Sequence, residues 1–451
     1  MLDSHDTHNA PIPSGEAAAR IQFVSAAVLV VFLLAWVASF YPFNDWLDVA
    51  GRPLGADFSM FYVAGQVVWD GASEQLYNQA EHQQRLQQLF PGIAKDFALP
   101  YRYPPVVALL AAPLAALPYP VAYFCFTALS IFAWRTAVLQ IIHACPTLAT
   151  NWLRTFRLVI YAWPVALETL VGGQASMLAL LIAISGFAMI AQQRFATAGI
   201  VLALASYKPN VLAILILALI VRSPRILWGL VPTTALVALL CLIPNGIQGI
   251  SDYRELASQL ASGTWDLDTP QWKVHGLANW FAAFDASGRL WCTAAGAALA
   301  VCLAWRMRRV AVGNRLDGIF WSTLISINAL FNSYTPIYDL VMLSAGTALT
   351  LEYALSKTKS TFSSIAAQDE QVTFPGRIPA CSRNVDQFSA RDVLWAQLAL
   401  AAAFFGPHAS QAIAKGTGWQ VFNLILLAAT VWQAQFVIRG TSRASQCFHE
   451  R

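Results

Sequence analysis

Charged residues are scarce in this chain. Asp, Glu, Lys and Arg make up 12% of its 451 residues while 57% are hydrophobic, against roughly 25% charged in a soluble domain. That excludes a soluble globular enzyme and leaves a polytopic membrane protein. Paired cysteines are also missing. The seven stand singly, at 125, 145, 241, 292, 302, 381 and 447, with no Cys-x-x-Cys, so neither a disulfide framework nor a zinc site is expected. The formal net charge is only +4, and nothing calls for a nucleic-acid partner. No small-residue cleavage site follows the first apolar run, residues 21–40, which ends in Tyr41-Pro42-Phe43. The run is therefore expected to stay as a first helix and not to leave as a signal peptide. No internal repeat is visible, which weighs against a transporter built of two related halves.

What is present is a succession of apolar segments. Arg20 on the flank of the first places the N-terminus in the cytoplasm, and Arg306, Arg308, Arg309 and Arg315 mark a later cytoplasmic loop. At roughly twenty residues per span the chain predicts about twelve crossings with both termini cytoplasmic. Residues 41–120 form the first outer loop, with aromatic residues recurring as in helices that lie in the membrane interface. Its last apolar run, 106–117, is short and contains Pro113, and the charges that follow favour a half-buried helix over a crossing. Helices are then expected at 157–171, 176–191, 195–207, 210–221, 226–242, 290–305, 319–331 and 340–355, with a second outer loop at 244–289.

Under this topology the polar residues converge on one face: Asp57, Arg102, Tyr103, Gln174, Lys208, Lys273, His275, Tyr338 and Asp339 all fall on outer loops or outer helix ends. Asp57 sits in a Gly- and Pro-rich bend beside Phe58, Phe61 and Tyr62, where a carboxylate in partly apolar surroundings can act as a general base. Plainer readings stand beside these. Asp57 is equally suited to cap a helix. Gln174 may only satisfy carbonyls at a helix end, and Lys208 can snorkel to the interface. His275 can bridge loop backbone, and Asp339 can form a purely structural pair with Lys208. A carboxylate base, a few cations and no metal cluster fit glycosyl transfer from a lipid phosphate. The base takes the acceptor proton and Arg or Lys neutralises the departing phosphate; a monophosphate has less need of a divalent ion than a nucleotide diphosphate.

Five stretches in order, Gly51-Arg-Pro-Leu-Gly-Ala-Asp-Phe-Ser59, Tyr103-Pro-Pro105 with its Ala-Pro-Leu helix, Gly173-Gln174, Ala205-Ser-Tyr-Lys-Pro209 and Tyr334-Thr-Pro-Ile-Tyr-Asp-Leu340, resemble glycosyltransferase family 87. The resemblance covers roughly residues 20–355. It implies the GT-C membrane fold, a polyprenyl-phosphate-sugar donor and a bacterial inner-membrane enzyme of the cell envelope, the better-studied members being mannosyltransferases. It implies Asp57 as the catalytic residue and Lys208 as a contact to the donor phosphate. Those mannosyltransferases look to have His in the late outer turn where this chain has Tyr338-Asp339, and His275 stands where related sequences often have Gln, so the resemblance does not carry the sugar.

The expectation is thus an all-α polytopic membrane protein of GT-C type. It divides into a cytoplasmic tail (1–19), a catalytic membrane domain (20–355), a cytoplasmic linker (356–391), two C-terminal helices (392–438) and a cytoplasmic tail (439–451). It moves a hexose from a polyprenyl-phosphate donor to a glycolipid or glycan acceptor on the outer face, with inversion and without a cofactor. Asp57 is catalytic, and Arg102, Tyr103, Gln174, Lys208, His275, Tyr338 and Asp339 bind substrate. The alternative from another class is a transporter or flippase of lipid-linked sugars.

Overall fold

The computed structural model describes residues 15–40, 45–94, 97–262, 273–282, 287–369, 390–417 and 420–449. Residues 1–14 of the tail expected at 1–19, residues 263–272 (with Asp266 and Asp268) and 283–286 of the second outer loop, and residues 370–389 of the linker lie outside them. The architecture is all-α apart from one small sheet. The chain begins with α1 (Gly15–Ser39), α2 (Ala56–Trp69), α3 (Gln79–Leu89) and α4 (Pro105–Ala115). It continues through α5 (Tyr119–Ala144), α6 (Pro146–Tyr161), α7 (Pro164–Gly172), α8 (Ser176–Ala191), α9 (Phe195–Ala203), α10 (Ala213–Arg222) and α11 (Leu227–Leu240). After α12 (Leu242–Ser262) and α13 (Leu277–Ala282) come α14 (Gly288–Met307), α15 (Leu316–Phe331), α16 (Met342–Asp369), α17 (Ala390–Thr417) and α18 (Phe422–His449).

Proline sets many of these starts. It occupies the first turn of α4, α5, α6 and α7, where a missing amide hydrogen costs nothing and φ is already helical. The same rule corrects one expectation: the single helix predicted at 157–171 is cut at Ala162–Trp163, because Pro164 begins a new one. The second outer loop is likewise more ordered than a loop, since α12 and α13 occupy much of it. Helix α16 continues beyond residue 355 into the expected linker, and α18 continues beyond 438 into the expected tail.

Among the described residues four helices, α1, α5, α14 and the Phe422–Ser442 part of α18, are long and apolar enough to cross a membrane. A fifth span appears if α10 and the Pro224–Leu240 helix, bent by 116° from each other, count as one. This establishes an all-α membrane protein. The eleven residues of α4 reach about 16 Å, half of a hydrocarbon core of roughly 30 Å, so α4 cannot cross alone. It packs instead on α2 and α12. Around it α5 packs on α8, α9 on α11, α10 on α14, and α15 on α16 and α18. The core gathers Phe58, Tyr123, Trp163 and Trp321, all fully buried. The sheet pairs β1 (Val274–His275) with β2 (Thr335–Pro336) antiparallel, His275 facing Thr335, and so ties the second outer loop to the turn after α15.

Candidate active site

Two glycine turns deliver Asp57. Gly55 is the N-cap of α2 at φ 61, and a Cβ there would lie 2.1 Å from the Tyr123 ring, so only glycine meets both demands. Asp57 is the second residue of α2. It is therefore not the cap, and its carboxylate is not spent on that role. Gly173 ends α7 in the left-handed region, φ 73, and a Cβ on it would come within 2.5 Å of the Phe58 Cβ. The Gly172-Gly173-Gln174 turn thus lies directly on Asp57 and Phe58, with a Cβ at Gly172 falling 3.8 Å from the Asp57 Oδ2.

Gln174 is buried and faces two ways: its Oε1 accepts from the Tyr103 hydroxyl at 3.0 Å, and its side chain also bonds the Asp57 carboxylate. Its backbone amide does satisfy a helix-end carbonyl, that of Thr169 at 3.0 Å, while its side chain is turned to Tyr103 and Asp57. Burial pushes the Asp57 carboxyl above the ordinary carboxylate range. The Gln174 bond opposes this, Glu168 adds to it, and Lys273 and Lys208 oppose it. A base with a raised pKa is a better proton acceptor while it stays ionised.

Lys208 occupies the turn between two 3-10 segments, 204–207 and 209–211, and is buried. Its ammonium bonds the Asp339 Oδ1 at 2.5 Å and the Ser176 Oγ at 3.3 Å. It sits 4.6 Å from the Tyr338 ring centroid and 5.9 Å from that of Tyr103. Ser176 donates to the same Oδ1 at 2.6 Å, whereas the buried Asp339 Oδ2 has no partner among the described residues. The Lys208–Asp339 pair foreseen as a structural bond is formed. Tyr103 links it to Asp57, its hydroxyl on Gln174 and its ring beside Lys208.

Arg102 donates to the Tyr334 hydroxyl at 2.8 Å, and Arg289 interacts electrostatically with the same phenol. Asn210 holds the Tyr334 carbonyl at 3.0 Å. Across the small sheet His275 is 2% exposed, and neither ring nitrogen has a partner among the described residues. Among the described residues it does not bridge loop backbone. Burial, with His408 nearby, pushes its imidazole down to about 3, so it is neutral at physiological pH.

All the named candidates except Lys273 are at least partly buried around this cluster; Lys273 is exposed at its rim, yet still acts electrostatically on Asp57. The sequence reading missed Arg289, Ser176, Glu168 and His408. Glu168, on α7, bonds the His408 Nε2 of α17 at 2.7 Å. A signal for Glu168 was there to read, a lone carboxylate in the apolar run Val165–Val171 one turn before the glycine pair. Among the described residues no group of His, Cys, Asp and Glu is arranged to hold a metal ion.

The family model for glycosyltransferase family 87 matches residues 101–333. It takes in Arg102, Tyr103, Gln174, Lys208 and His275 and leaves Asp57, Tyr338 and Asp339 outside. Neither the curated proteins nor the solved structures contain a match to the chain.

Proposed function

The chain belongs to glycosyltransferase family 87, and on that premise we propose that it moves a hexose, mannose or a similar sugar, from a polyprenyl-phosphate donor to an envelope glycolipid or glycan. The class itself, a membrane glycosyltransferase, follows from the family and the apolar helices. The proposed setting is the extracytoplasmic face of a bacterial inner membrane, with α2 and α4 in the interface.

The observation that carries the reading is the placement of Asp57: a partly exposed carboxylate, raised by burial, held by Gln174 and flanked by cations. Ionised Asp57 takes the proton from the acceptor hydroxyl as its oxygen attacks the anomeric carbon. The bond from that carbon to the phosphate oxygen breaks, and the electron pair leaves with polyprenyl phosphate. A single displacement inverts the anomeric centre, so a β-linked donor gives an α-linked product. Lys208 is already matched in charge by Asp339 and contributes as a fixed hydrogen-bond donor at the wall of the site, with less net positive charge than the arginines. Arg102 and Arg289, which both act on the Tyr334 phenol, receive the charge that develops on the leaving phosphate. Tyr338 packs the wall against Lys208, while Tyr103 and Gln174 orient the base.

The test is sugar transfer from a panel of radiolabelled polyprenyl-phosphate hexoses to membrane lipid extract, by purified wild-type protein and by Asp57→Asn. Wild-type transfer is expected, reduced by about 10²–10⁴-fold in the variant, the usual worth of a general base. Asp57→Asn at wild-type rate removes the base assignment. No transfer by folded wild type with a complete acceptor pool favours the flippase instead.

A further inference from the structure

A polyol acceptor needs partners that give and accept hydrogen bonds, in a place where an anionic donor is unwelcome. One side of Asp57 has this character. Glu168 lies four residues before Gly172 and so on the same face of α7, the face that meets Asp57 at its next turn. Its carboxylate bonds His408 at 2.7 Å, and the two side chains are 38% and 35% exposed, so the pair is open to a ligand and not sealed in the core. The His408 Nδ1 is buried without a partner among the described residues, and so are both ring nitrogens of the almost fully buried His275. His408 lies close enough to act electrostatically on His275. The neutral His275 imidazole offers one donor and one acceptor nitrogen, the complement of a hydroxyl group.

The neighbouring elements hold this side together. Phe404 of α17 meets Trp163 edge-on at 5.4 Å. The Asn423 side chain of α18 bonds both the amide and the carbonyl of Gly276, beside His275, at 3.0 and 3.1 Å. Two carboxylates, Asp57 and Glu168, lie here with one exposed cation, Lys273, at the rim, while Arg102 and Arg289 lie at Tyr334. The carboxylates favour a neutral sugar over the donor's phosphate on this side.

We propose that Glu168, His408 and His275 form a subsite for the hydroxyl groups of the acceptor sugar, so that α17 and α18, which lie outside the matched family region, belong to the catalytic unit and set acceptor choice. The proposal rests on the glycosyl-transfer reading and deepens it. Glu168 and His408 touch substrate in this arrangement, and Asn423 is a positioning residue for His275.

The test uses the full-length protein and fluorescent octyl glucoside, galactoside and mannoside, both as acceptors for transfer and as ligands in a binding titration. His408→Ala and Glu168→Gln are expected to raise the acceptor KM and Kd about tenfold, the scale of one hydrogen bond to a charged group, with the donor KM unmoved. His408→Gln, which can still donate to Glu168, recovers most of the loss. An unchanged acceptor KM, or a rise in both KM values together with a fall in Tm, overturns the subsite. If wild type binds a hexoside and the variants do not, yet no sugar is transferred, the subsite stands and the transferase mechanism falls. If folded wild type binds none of the three, the subsite is wrong.

Discussion

The two ends of the α10–α15 contact each carry a buried ion pair, and they are built differently. At one end Arg222, the last residue of α10, bonds Asp317 in the first turn of α15. Asp317 spends both oxygens, Oδ1 on Arg222 and Oδ2 on the Gly313 amide at 2.7 Å, and the guanidinium lies 5.0 Å from the Phe320 ring centroid. At the other end Lys208 and Asp339 have similar burial, but Asp339 leaves Oδ2 unmatched among the described residues and the ammonium faces two tyrosines that reach towards Asp57. In the first pair the carboxylate is fully used, and what lacks a partner among the described residues is the Arg222 Nε and Nη1. In the second it is a carboxylate oxygen that lacks one. Burial and opposite charge alone do not separate the two; the carboxylate oxygen left over does.

The largest effect should come from stripping each pair of one partner. Leaving a buried charge unpaired costs about 3–5 kcal/mol, so Lys208→Met and Asp317→Ala should lower stability alike, read as Tm in the purified protein. Only the first should also lower kcat per folded molecule. An Asp317→Ala protein with depressed kcat would erase the distinction. A middle-sized effect concerns pH. Because burial raises the Asp57 carboxyl, transfer should fall as the pH drops through that raised value, since protonated Asp57 cannot accept the acceptor's proton. Glu168→Gln removes a negative neighbour and should move this acid limb to lower pH. Gln174→Leu removes a bond to the ionised form and should move it higher, each by on the order of half a unit to one unit. Arg222→Met should leave the limb where it is, and pH–rate profiles of the four proteins decide. The smallest effect is expected at Tyr334→Phe, which takes away the acceptor of an Arg102 hydrogen bond. The donor KM should rise about fivefold, near 1 kcal/mol, with a lesser change in kcat.

Local signals in the sequence were read well. The helix expected at 176–191 has those bounds in the structure, and the Gly172-Gly173-Gln174 and Lys208-Pro209 turns stand where glycine and proline placed them. Asp57, Gln174, Tyr103, Lys208 and Asp339 do meet. Legibility fails where partners are distant in the chain. Pro164 was visible, but hydropathy alone ran a helix through it. The pairing of Val274–His275 with Thr335–Pro336 joins loops some sixty residues apart, and two-residue strands have no period to detect. Nothing in the sequence singles out His408, because its meaning depends on Glu168, 240 positions earlier. The count of spans suffered similarly: several helices that hydropathy treated as crossings are 9 to 16 residues long, so how they sit is decided by packing and not by length.

The two hydrogen bonds between Asn423 and Gly276 also bear on biosynthesis. Residues that line the site are made early: Asp57, Gln174 and Lys208 are all synthesised more than 200 residues ahead of Asn423. The clasp that holds His275 in place belongs to the last helix, so the pocket stays unfinished until the final segment is inserted and folds back on the strand. A nascent chain therefore carries its base long before it carries its acceptor wall, and a product truncated ahead of α18 would keep the former without the latter.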